Sequence, residues 1–256
     1  DCFIYGNTAN NNRKYGIFVN CDNNQIYYNN VSYNGEFGIY LYDLYSRSVK
    51  NNTIKGNIGY NNSVSGIALI NNCSFNNLSE NKLSENYNGI YLGNSFNNTI
   101  FANKASNNDH FGIDLYQSEN NTLSENIVKD NDNMGIELYE SNYNIINDSV
   151  AINNFYGIYL YESNYNKIYG NNATDNKHNG IHLFRSHHNN ISENIGTNNR
   201  EASGISLSQS NFNEISRNDV QKNYDFGILL EGSDRNITDT MFISKSTVRS
   251  HIKYSV

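Results

Sequence analysis

The sequence of 256 residues contains no proline, no tryptophan, two methionines and three cysteines. Basic residues are also scarce, since 18 lysines and arginines stand against 25 aspartates and glutamates and leave a formal net charge of −7. A nucleic acid or an anionic membrane requires a basic face on its protein partner, so this charge balance argues against both. No apolar run approaches the length that spans a bilayer. The cysteines have no metal-ligand spacing, and we expect free thiols, with a disulfide between Cys2 and Cys21 as the alternative.

What the sequence does contain is a repeat. A Gly-Ile pair recurs along the chain, and a leucine or valine follows each glycine by three residues; the glycines are Gly16, Gly38, Gly66, Gly89, Gly112, Gly135, Gly157, Gly180, Gly204 and Gly227. Successive glycines are 22, 28, 23, 23, 23, 22, 23, 24 and 23 residues apart. A nearly constant period of this length is typical of solenoids, and the repeat is unbroken, so we expect residues 1–256 to form one domain.

Each repeat contains three short apolar segments. Counted from the glycine as position zero, the isoleucine at position one and the leucine at position three alternate with variable residues, as in a strand with one buried face. Two more apolar columns lie twelve and seven residues before the glycine, and Ile145 and Val150 are their predicted members before Gly157. Three strands in each period predict an all-β fold, a right-handed single-stranded parallel β-helix of about ten to eleven coils. The last, irregular coil is expected around Met241, Phe242 and Ile243.

Asparagine columns separate the predicted strands. Two of them lie nine and four residues before the glycine, and Asp148 and Asn153 are their predicted members before Gly157. A third includes Asn98, Asn121, Asn144, Asn166, Asn189, Asn213 and Asn236. Asparagine tolerates left-handed backbone at corners, and identical amides on stacked coils can form hydrogen-bonded ladders. A metal or sugar ladder is the alternative explanation. The glycine itself either excludes a Cβ atom or requires positive φ.

The asparagine-rich coil with Gly-Ile-x-Leu, as in residues 126–138 and 171–183, resembles the parallel β-helix repeats of the pectin-lyase-like superfamily. It is most similar to the NosD-like group of carbohydrate-binding and sugar-hydrolase β-helices. The resemblance implies an extracellular or cell-surface location and a polysaccharide partner. NosD proper is associated with copper-enzyme maturation. Because two methionines, three cysteines and six scattered histidines form no soft-metal cluster, we do not expect that role or a metal cofactor here.

A candidate site lies on the outward face of the Gly-Ile-x-Leu strands, where aromatic, acidic and basic residues occupy consecutive coils. The predicted catalytic residues are Asp114, Glu137, His182 and Arg185. The predicted substrate-binding residues are Tyr116, Tyr139, Glu140, Tyr159, Tyr161, Glu162 and Phe184. Aromatic rings can cover the apolar faces of sugars while polar groups orient the hydroxyls, so we expect an extended glycan here.

Three chemistries are compatible with this face. A hydrolase needs two carboxyl groups, for which Asp114 and Glu137 are the first candidates. A lyase acting on a uronide needs a base, such as Arg185 or His182, and a cation such as calcium to neutralise the sugar carboxylate. The third possibility is a solvated acidic stripe without catalysis. We therefore expect a protein that binds or cleaves polysaccharide, with a non-catalytic structural or adhesive spacer as the alternative.

The start of the chain and one long repeat predict features beyond the regular coils. The chain begins in mid-coil at Ile4 without a visible secretory signal, so we expect it to be part of a longer chain with further coils or domains. The 28-residue spacing before Gly66 places an inserted loop in residues 42–51, and we expect this loop to stand beside one end of the candidate site.

Overall fold

The computed structural model describes residues 1–44 and 48–239, and the regular structure in this part of the chain consists of β-strands. The strands pair in parallel with their equivalents one repeat away, which forms a β-helix with three main sheets. The predicted right-handed single-stranded parallel β-helix is confirmed. The last coil predicted around Met241 lies outside the described residues. Within the described residues no helix is long and apolar enough to cross a membrane.

Sheet C contains the Gly-Ile-x-Leu strands. Its members are Tyr15–Val19, Phe37–Tyr42, Ser65–Ile70, Asn88–Gly93, Phe111–Tyr116, Met134–Tyr139, Tyr156–Tyr161, Ile181–Phe184, Ile205–Ser208 and Ile228–Glu231. Stacking follows chain order throughout, so each strand pairs with the preceding and the following repeat. Residues at the same distance from successive glycines consequently form columns that run along the axis of the solenoid.

Sheets A and B complete the coil. Sheet A contains Phe3–Tyr5, Gln25–Tyr27, Thr53–Lys55, Asn77–Ser79, Thr99–Phe101, Thr122–Ser124, Ile145–Asn147, Lys167–Tyr169, Asn190–Ser192, Glu214–Ser216 and Ile237–Asp239. Sheet B contains Ile58–Tyr60, Lys82–Ser84, Lys104–Ser106, Ile127–Lys129 and Val150–Ile152. A small fourth sheet pairs Val49–Lys50 with Cys73–Ser74. Residues 45–47 of the predicted inserted loop are outside the described part of the chain.

The core is a stack of identical apolar layers. Ile113 pairs with Ile136, and Leu115 pairs with Leu138, and all four side chains are fully buried. Sheet A contributes a column of isoleucines and leucines, such as Leu123, and sheet B contributes smaller residues. Because each coil repeats the same layer, apolar contacts continue along the whole solenoid rather than closing into one central cluster.

In the coil before Gly157 the predicted members of the core and asparagine columns are wrong by one residue. Ile146 rather than Ile145 pairs with Leu123 and Ile168 in the core, and Ala151 rather than Val150 is fully buried in sheet B. Asn154 is only 2% exposed and lies three residues before its glycine, whereas Asn131 lies four residues before Gly135. The missing residue of this 22-residue coil therefore falls after Asn154, and columns counted backwards from the glycine are displaced.

The asparagine columns are buried hydrogen-bonded ladders, as predicted. The Asn171 amide donates to the Ile146 carbonyl at 2.9 Å and to the Asn194 side-chain oxygen at 3.0 Å. Its own oxygen accepts from the Ser149 backbone N–H at 3.0 Å. Ser149 occupies the ladder position that the sequence analysis assigned to Asp148, and buried Asn154 takes the place assigned to the exposed Asn153. The ladders supply partners to the backbone groups at the corners, which sheet pairing alone would leave unsatisfied.

The repeated glycine is required by lack of space. A Cβ atom on Gly112 would lie 2.6 Å from the Gly135 carbonyl oxygen and 2.9 Å from the Val128 Cβ atom. Its backbone is not in the positive-φ region, so of the two predicted reasons the structure supports the exclusion of Cβ. Aromatic residues immediately before the glycine and two after it meet on the outside, as Tyr156 and Tyr159 do at 5.3 Å, so strict alternation does not continue through the glycine.

Candidate functional site

The outward face of sheet C carries four columns of side chains. The flank column precedes the glycine and contains Phe111, Met134, Tyr156 and Asn179. The central column lies two residues after the glycine and contains Tyr91, Asp114, Glu137, Tyr159 and His182. The tyrosine column lies four after it and contains Tyr116, Tyr139, Tyr161 and Phe184. The corner column follows it and contains Gln117, Glu140, Glu162, Arg185 and Gln209.

Two carboxyl groups are buried in the central column. Asp114 and Glu137 are direct partners on adjacent parallel strands, and only 6% and 8% of their surfaces are exposed. Both side chains point away from the core, yet the neighbouring columns and the rings of Tyr91 and Tyr159 on the adjacent coils cover them. The Asp114 Oδ1 atom is buried without a hydrogen-bond partner. The acidic part of this face is therefore not the solvated stripe that the sequence left open.

Burial changes the protonation of this pair. It raises the pKa of Asp114 well above its usual value, and the neighbouring Glu137 charge adds to the effect. Burial also raises the pKa of Glu137 to about 7. Removing a carboxylate from water disfavours its charged form, which explains both directions. Asp114 is consequently held toward its neutral acid form, while Glu137 changes charge near neutral pH.

Aromatic residues continue the central column beyond Glu137. Tyr159 and His182 stack with ring centroids 5.4 Å apart, and the flank residue Tyr156 stacks on His182 at 5.6 Å. Burial, with a contribution from His178, lowers the pKa of His182 to about 4, so its imidazole is neutral near pH 7. Burial raises the pKa of Tyr159 to about 12. The column thus places a titrating carboxyl, a phenol and a neutral imidazole on consecutive strands.

The tyrosine column is a continuous ring stack. Tyr116 and Tyr139 lie 5.3 Å apart, Tyr139 and Tyr161 lie 4.7 Å apart with an interplanar angle of 6°, and Tyr161 and Phe184 lie 5.7 Å apart. Rings in this arrangement cover one another's faces and present their edges outward. On the side of the preceding coil the stack ends at Tyr116, where Gly93 has no side chain and the Tyr91 ring lies over the Gly93 backbone. Tyr116 is 38% exposed, more than any other ring of the stack, whereas Tyr139 and Tyr161 are covered by neighbouring rings on both faces.

The corner column is linked by side-chain hydrogen bonds. The Gln117 amide donates to Glu140 Oε2 at 2.7 Å, and Arg185 contacts Glu162 at 3.3 Å and Gln209 at 3.1 Å. The guanidinium of Arg185 also lies over the Phe184 ring at 5.1 Å. The structure therefore brings Asp114, Glu137, Tyr159 and His182 into one column, and places Arg185 with Glu140 and Glu162 in another, at the solvent-exposed edge.

Two parts of this face were not predicted from the sequence. The flank column contributes Tyr156 and Phe111, and the ring of His178 packs 4.8 Å from Tyr156, although the sequence analysis gave His178 no role. Tyr91 also covers the site, with its hydroxyl close to the backbone of Gly93. Strict alternation counted from the glycine does not predict the flank column, because the alternation is interrupted at the glycine. The recurrence of bulky residues immediately before the glycine is the signal that would have identified it.

The protein is thus a right-handed β-helix in which the outward face of sheet C is formed by columns of side chains from consecutive coils. A family model described as a right handed beta helix region matches residues 1–74. The model described as periplasmic copper-binding protein (NosD) matches residues 58–202 and 172–252, and the chain belongs to this family. No curated protein sequence matches the chain.

Solved structures with the same fold include proteins that act on polysaccharides. The periplasmic alginate epimerase AlgG has 21% identity and a TM-score of 0.53, with 85% of this chain and 50% of AlgG covered. The A-module of the Azotobacter vinelandii mannuronan C-5 epimerase AlgE4 has 13% identity and a TM-score of 0.66, with 93% and 85% covered. The Dettilon tailspike protein has 14% identity and a TM-score of 0.61, with 88% and 60% covered. The chain spans about half the length of AlgG. At these identities the similarity establishes the fold.

The copper named in the family description was tested against the side chains present. Copper in proteins favours thiolate, thioether and imidazole ligands. Within residues 1–44 and 48–239 no three histidine, cysteine, aspartate or glutamate side chains lie close enough together to hold a metal ion. His178 and His182 both pack on Tyr156, but no third donor of these types joins them in the described part of the chain. The described residues do not fit a copper site, and we derive no step through the metal.

Proposed function

We propose that this protein binds an extended polysaccharide along the outward face of sheet C, in the cell envelope or outside the cell. Support for the location comes from the periplasmic description of its family. Support for the ligand class comes from β-helix neighbours whose titles name alginate and mannuronan epimerases. The observation that carries the proposal is the buried Asp114 and Glu137 pair on an outward face, with Asp114 Oδ1 lacking any partner.

An unpartnered buried oxygen is costly, so this pair indicates a ligand. Leaving a buried polar group without a hydrogen bond costs about 1–3 kcal/mol. The hydroxyl groups of a sugar can donate to Asp114 and Glu137, and the C–H faces of the sugar can pack against Tyr91, Tyr159 and the exposed ring of Tyr116. Four consecutive coils, from Tyr91 to Tyr159, extend over about 14 Å at the usual strand spacing, which suits an oligosaccharide segment rather than a single sugar.

A proton-transfer reaction on the bound sugar is a second candidate, and the pKa of Glu137 favours it. A general base is most effective when its pKa lies near the working pH, and burial gives Glu137 a pKa of about 7. In an elimination, Glu137 would take the proton from the carbon beside the uronate carboxyl group, and the electron pair of that C–H bond would form a double bond to the next carbon as its bond to the leaving oxygen breaks. Tyr159 would give its phenolic proton to that oxygen. Asp114, in its neutral form, would donate a hydrogen bond to the sugar carboxylate.

Hydrolysis with inversion fits this geometry less well. Inverting hydrolases hold their two carboxyl groups about 6.5–9.5 Å apart on opposite sides of the scissile bond. Asp114 and Glu137 instead lie side by side on adjacent strands, about 4.8 Å apart at the backbone. A retaining hydrolase needs a neutral acid and an ionised nucleophile about 5–5.5 Å apart, and Asp114, held toward its neutral form, and Glu137, ionised above pH 7, are compatible with these two roles. We therefore place inverting hydrolysis last, and the products distinguish elimination from retaining hydrolysis.

The experiment measures binding first and turnover second. Uronic-acid and neutral polysaccharides are screened by affinity electrophoresis with the wild type, Glu137→Gln and Tyr116→Ala, and exposed Glu85→Gln serves as the matched control. Turnover is followed by reducing ends and by the absorbance of unsaturated products, with calcium and with chelator. We expect Tyr116→Ala to weaken binding, and Glu137→Gln to retain binding and abolish any unsaturated product. If no polysaccharide binds to the wild type, the alternative of a non-catalytic structural or adhesive spacer replaces the proposal.

A further inference from the structure

Sheet B places two lysines against each other without an acidic partner. Lys82 and Lys104 are direct partners on adjacent parallel strands, and both are exposed. Like charges in such a pair repel each other and destabilise the sheet. In the described part of the chain neither lysine forms an ion pair, although nearby Lys55 meets Glu80 at 3.0 Å and Lys129 meets Asp130 at 3.4 Å. The two lysines thus present uncompensated positive charge on a protein whose net charge is −7.

Hydroxyl groups converge on the same place. The adjacent outward positions pair Tyr60 with Ser84 and Ser84 with Ser106. Ser106 is only 3% exposed, and its buried Oγ atom has no hydrogen-bond partner. A concavity of about 300 Å³ is lined by these residues and the two lysines, together with Leu83 and Asn107. The Ser106 hydroxyl can therefore form a hydrogen bond to a ligand that occupies this concavity.

We propose that this concavity is a binding site for an oxyanion, meaning a carboxylate, sulfate or phosphate group, either free or carried by a sugar. The two ammonium groups can only donate hydrogen bonds, and the serine hydroxyls can donate as well. This donor set suits a charged oxygen cluster and excludes a metal cation. An anion here removes the repulsion between Lys82 and Lys104 and satisfies Ser106. The site lies on a different sheet from the polysaccharide face and does not depend on the function proposed for that face.

The site is bounded along the axis of the solenoid. On the outward columns of sheet B, Lys82 is followed in one direction by Ile58, and Lys104 in the other by Ile127, which is 42% exposed. Lys129, the register partner of Ser106 on the next strand, is paired with Asp130 at 3.4 Å, so the uncompensated positive charge is confined to two coils and does not form a continuous basic stripe. This confinement matches one anionic group and argues against a long polyanion lying along sheet B.

The test is calorimetric titration at constant ionic strength, with sodium sulfate and with a short galacturonic acid oligomer as separate probes. The wild type is expected to bind at least one probe saturably. Joint replacement Lys82→Gln and Lys104→Gln is expected to raise Kd at least about tenfold, because charge-assisted hydrogen bonds are lost. The control Lys167→Gln removes an exposed lysine of sheet A and is expected to change nothing. Binding of sulfate assigns the site to a free anion, and binding of the oligomer alone assigns it to an acidic sugar.

A second variant separates the site from simple charge effects. Ser106→Ala removes the buried hydroxyl, so it is expected to raise Kd for the bound probe and to raise Tm when no anion is present. Absence of saturable binding of both probes to the wild type would overturn the proposal. Unchanged affinity in the double lysine variant would also overturn it. Because Glu137→Gln leaves sheet B intact, its binding to the sulfate probe is expected to equal that of the wild type.

Discussion

Replacement of Glu137 by glutamine is expected to stabilise the protein at high pH and to have no effect at low pH. The ordinary glutamate pKa of 4.5 rises to about 7 at this site because the carboxyl group is buried. Between these values the folded state holds a proton that the unfolded state has released, so stability falls as the pH rises. One pKa unit corresponds to about 1.4 kcal/mol, so ionised Glu137 lowers the free energy of unfolding by about 3 kcal/mol above pH 7.

Glutamine has nearly the same shape as glutamate but cannot ionise, so the variant avoids this loss. At pH 8 we expect Glu137→Gln to exceed the wild type by about 3 kcal/mol, and below pH 4.5 we expect the two proteins to agree. Removing the Glu137 charge also removes one of the causes that raise the pKa of Asp114, which acts in the same direction. The two proteins therefore diverge as the pH rises from 4.5 to 8.

The assay is urea denaturation followed by far-ultraviolet circular dichroism at pH 4, 6 and 8. Exposed Glu85→Gln is the control, since a surface substitution usually changes stability by less than about 0.5 kcal/mol. Equal stability of Glu137→Gln and the wild type at pH 8 would refute the argument. It would mean that water reaches the carboxyl pair in solution and that Tyr91 and Tyr159 do not cover it.

Three further outcomes follow from the packing. Leu115→Ala, in the fully buried leucine column, is expected to cost about 2–5 kcal/mol in urea denaturation, and a cost below 1 kcal/mol would contradict the stacked core. Asn171→Leu leaves the Ile146 carbonyl and the Ser149 N–H without partners and is expected to cost about 1–3 kcal/mol, whereas Asn77→Leu, at an exposed strand position, is expected to cost less. In affinity electrophoresis Tyr116→Ala is expected to weaken polysaccharide binding more than Tyr139→Ala, because both faces of the Tyr139 ring are covered by its neighbours; the reverse order would contradict the stacked geometry.

Most of the scaffold could be predicted because its contacts repeat. In a parallel solenoid each residue meets its own equivalent one coil away, so a column in the sequence is also a contact in space. This is why the core residues Ile113 and Leu115 and the ladder residue Asn171 were assigned correctly. The errors are confined to the coil of 22 residues before Gly157, where the position of the missing residue is a matter of corner geometry. Ile146, Ser149 and Asn154 there replace the predicted members.

For the candidate site, the sequence predicts which residues share the outward face of sheet C but not which of them are buried. The outward direction of Asp114 and Glu137 follows from alternation along a strand, and their adjacency follows from the period. Their burial depends on side chains in other columns, and the flank and central columns meet because alternation is interrupted at the repeated glycine, as the contact between Tyr156 and Tyr159 shows. In the same way, nothing in the sequence marks Lys82 and Lys104 as neighbours, and only their register on sheet B shows that they lie side by side.

The sequence by itself thus determined the coil, its columns and the asparagine ladders, because these depend on like residues meeting at a fixed period. Only the tertiary structure decided which outward groups are buried, which pKa values change and which rings stay exposed. Those properties depend on contacts between different columns, and such contacts are set by bends, corners and side-chain packing that no period encodes.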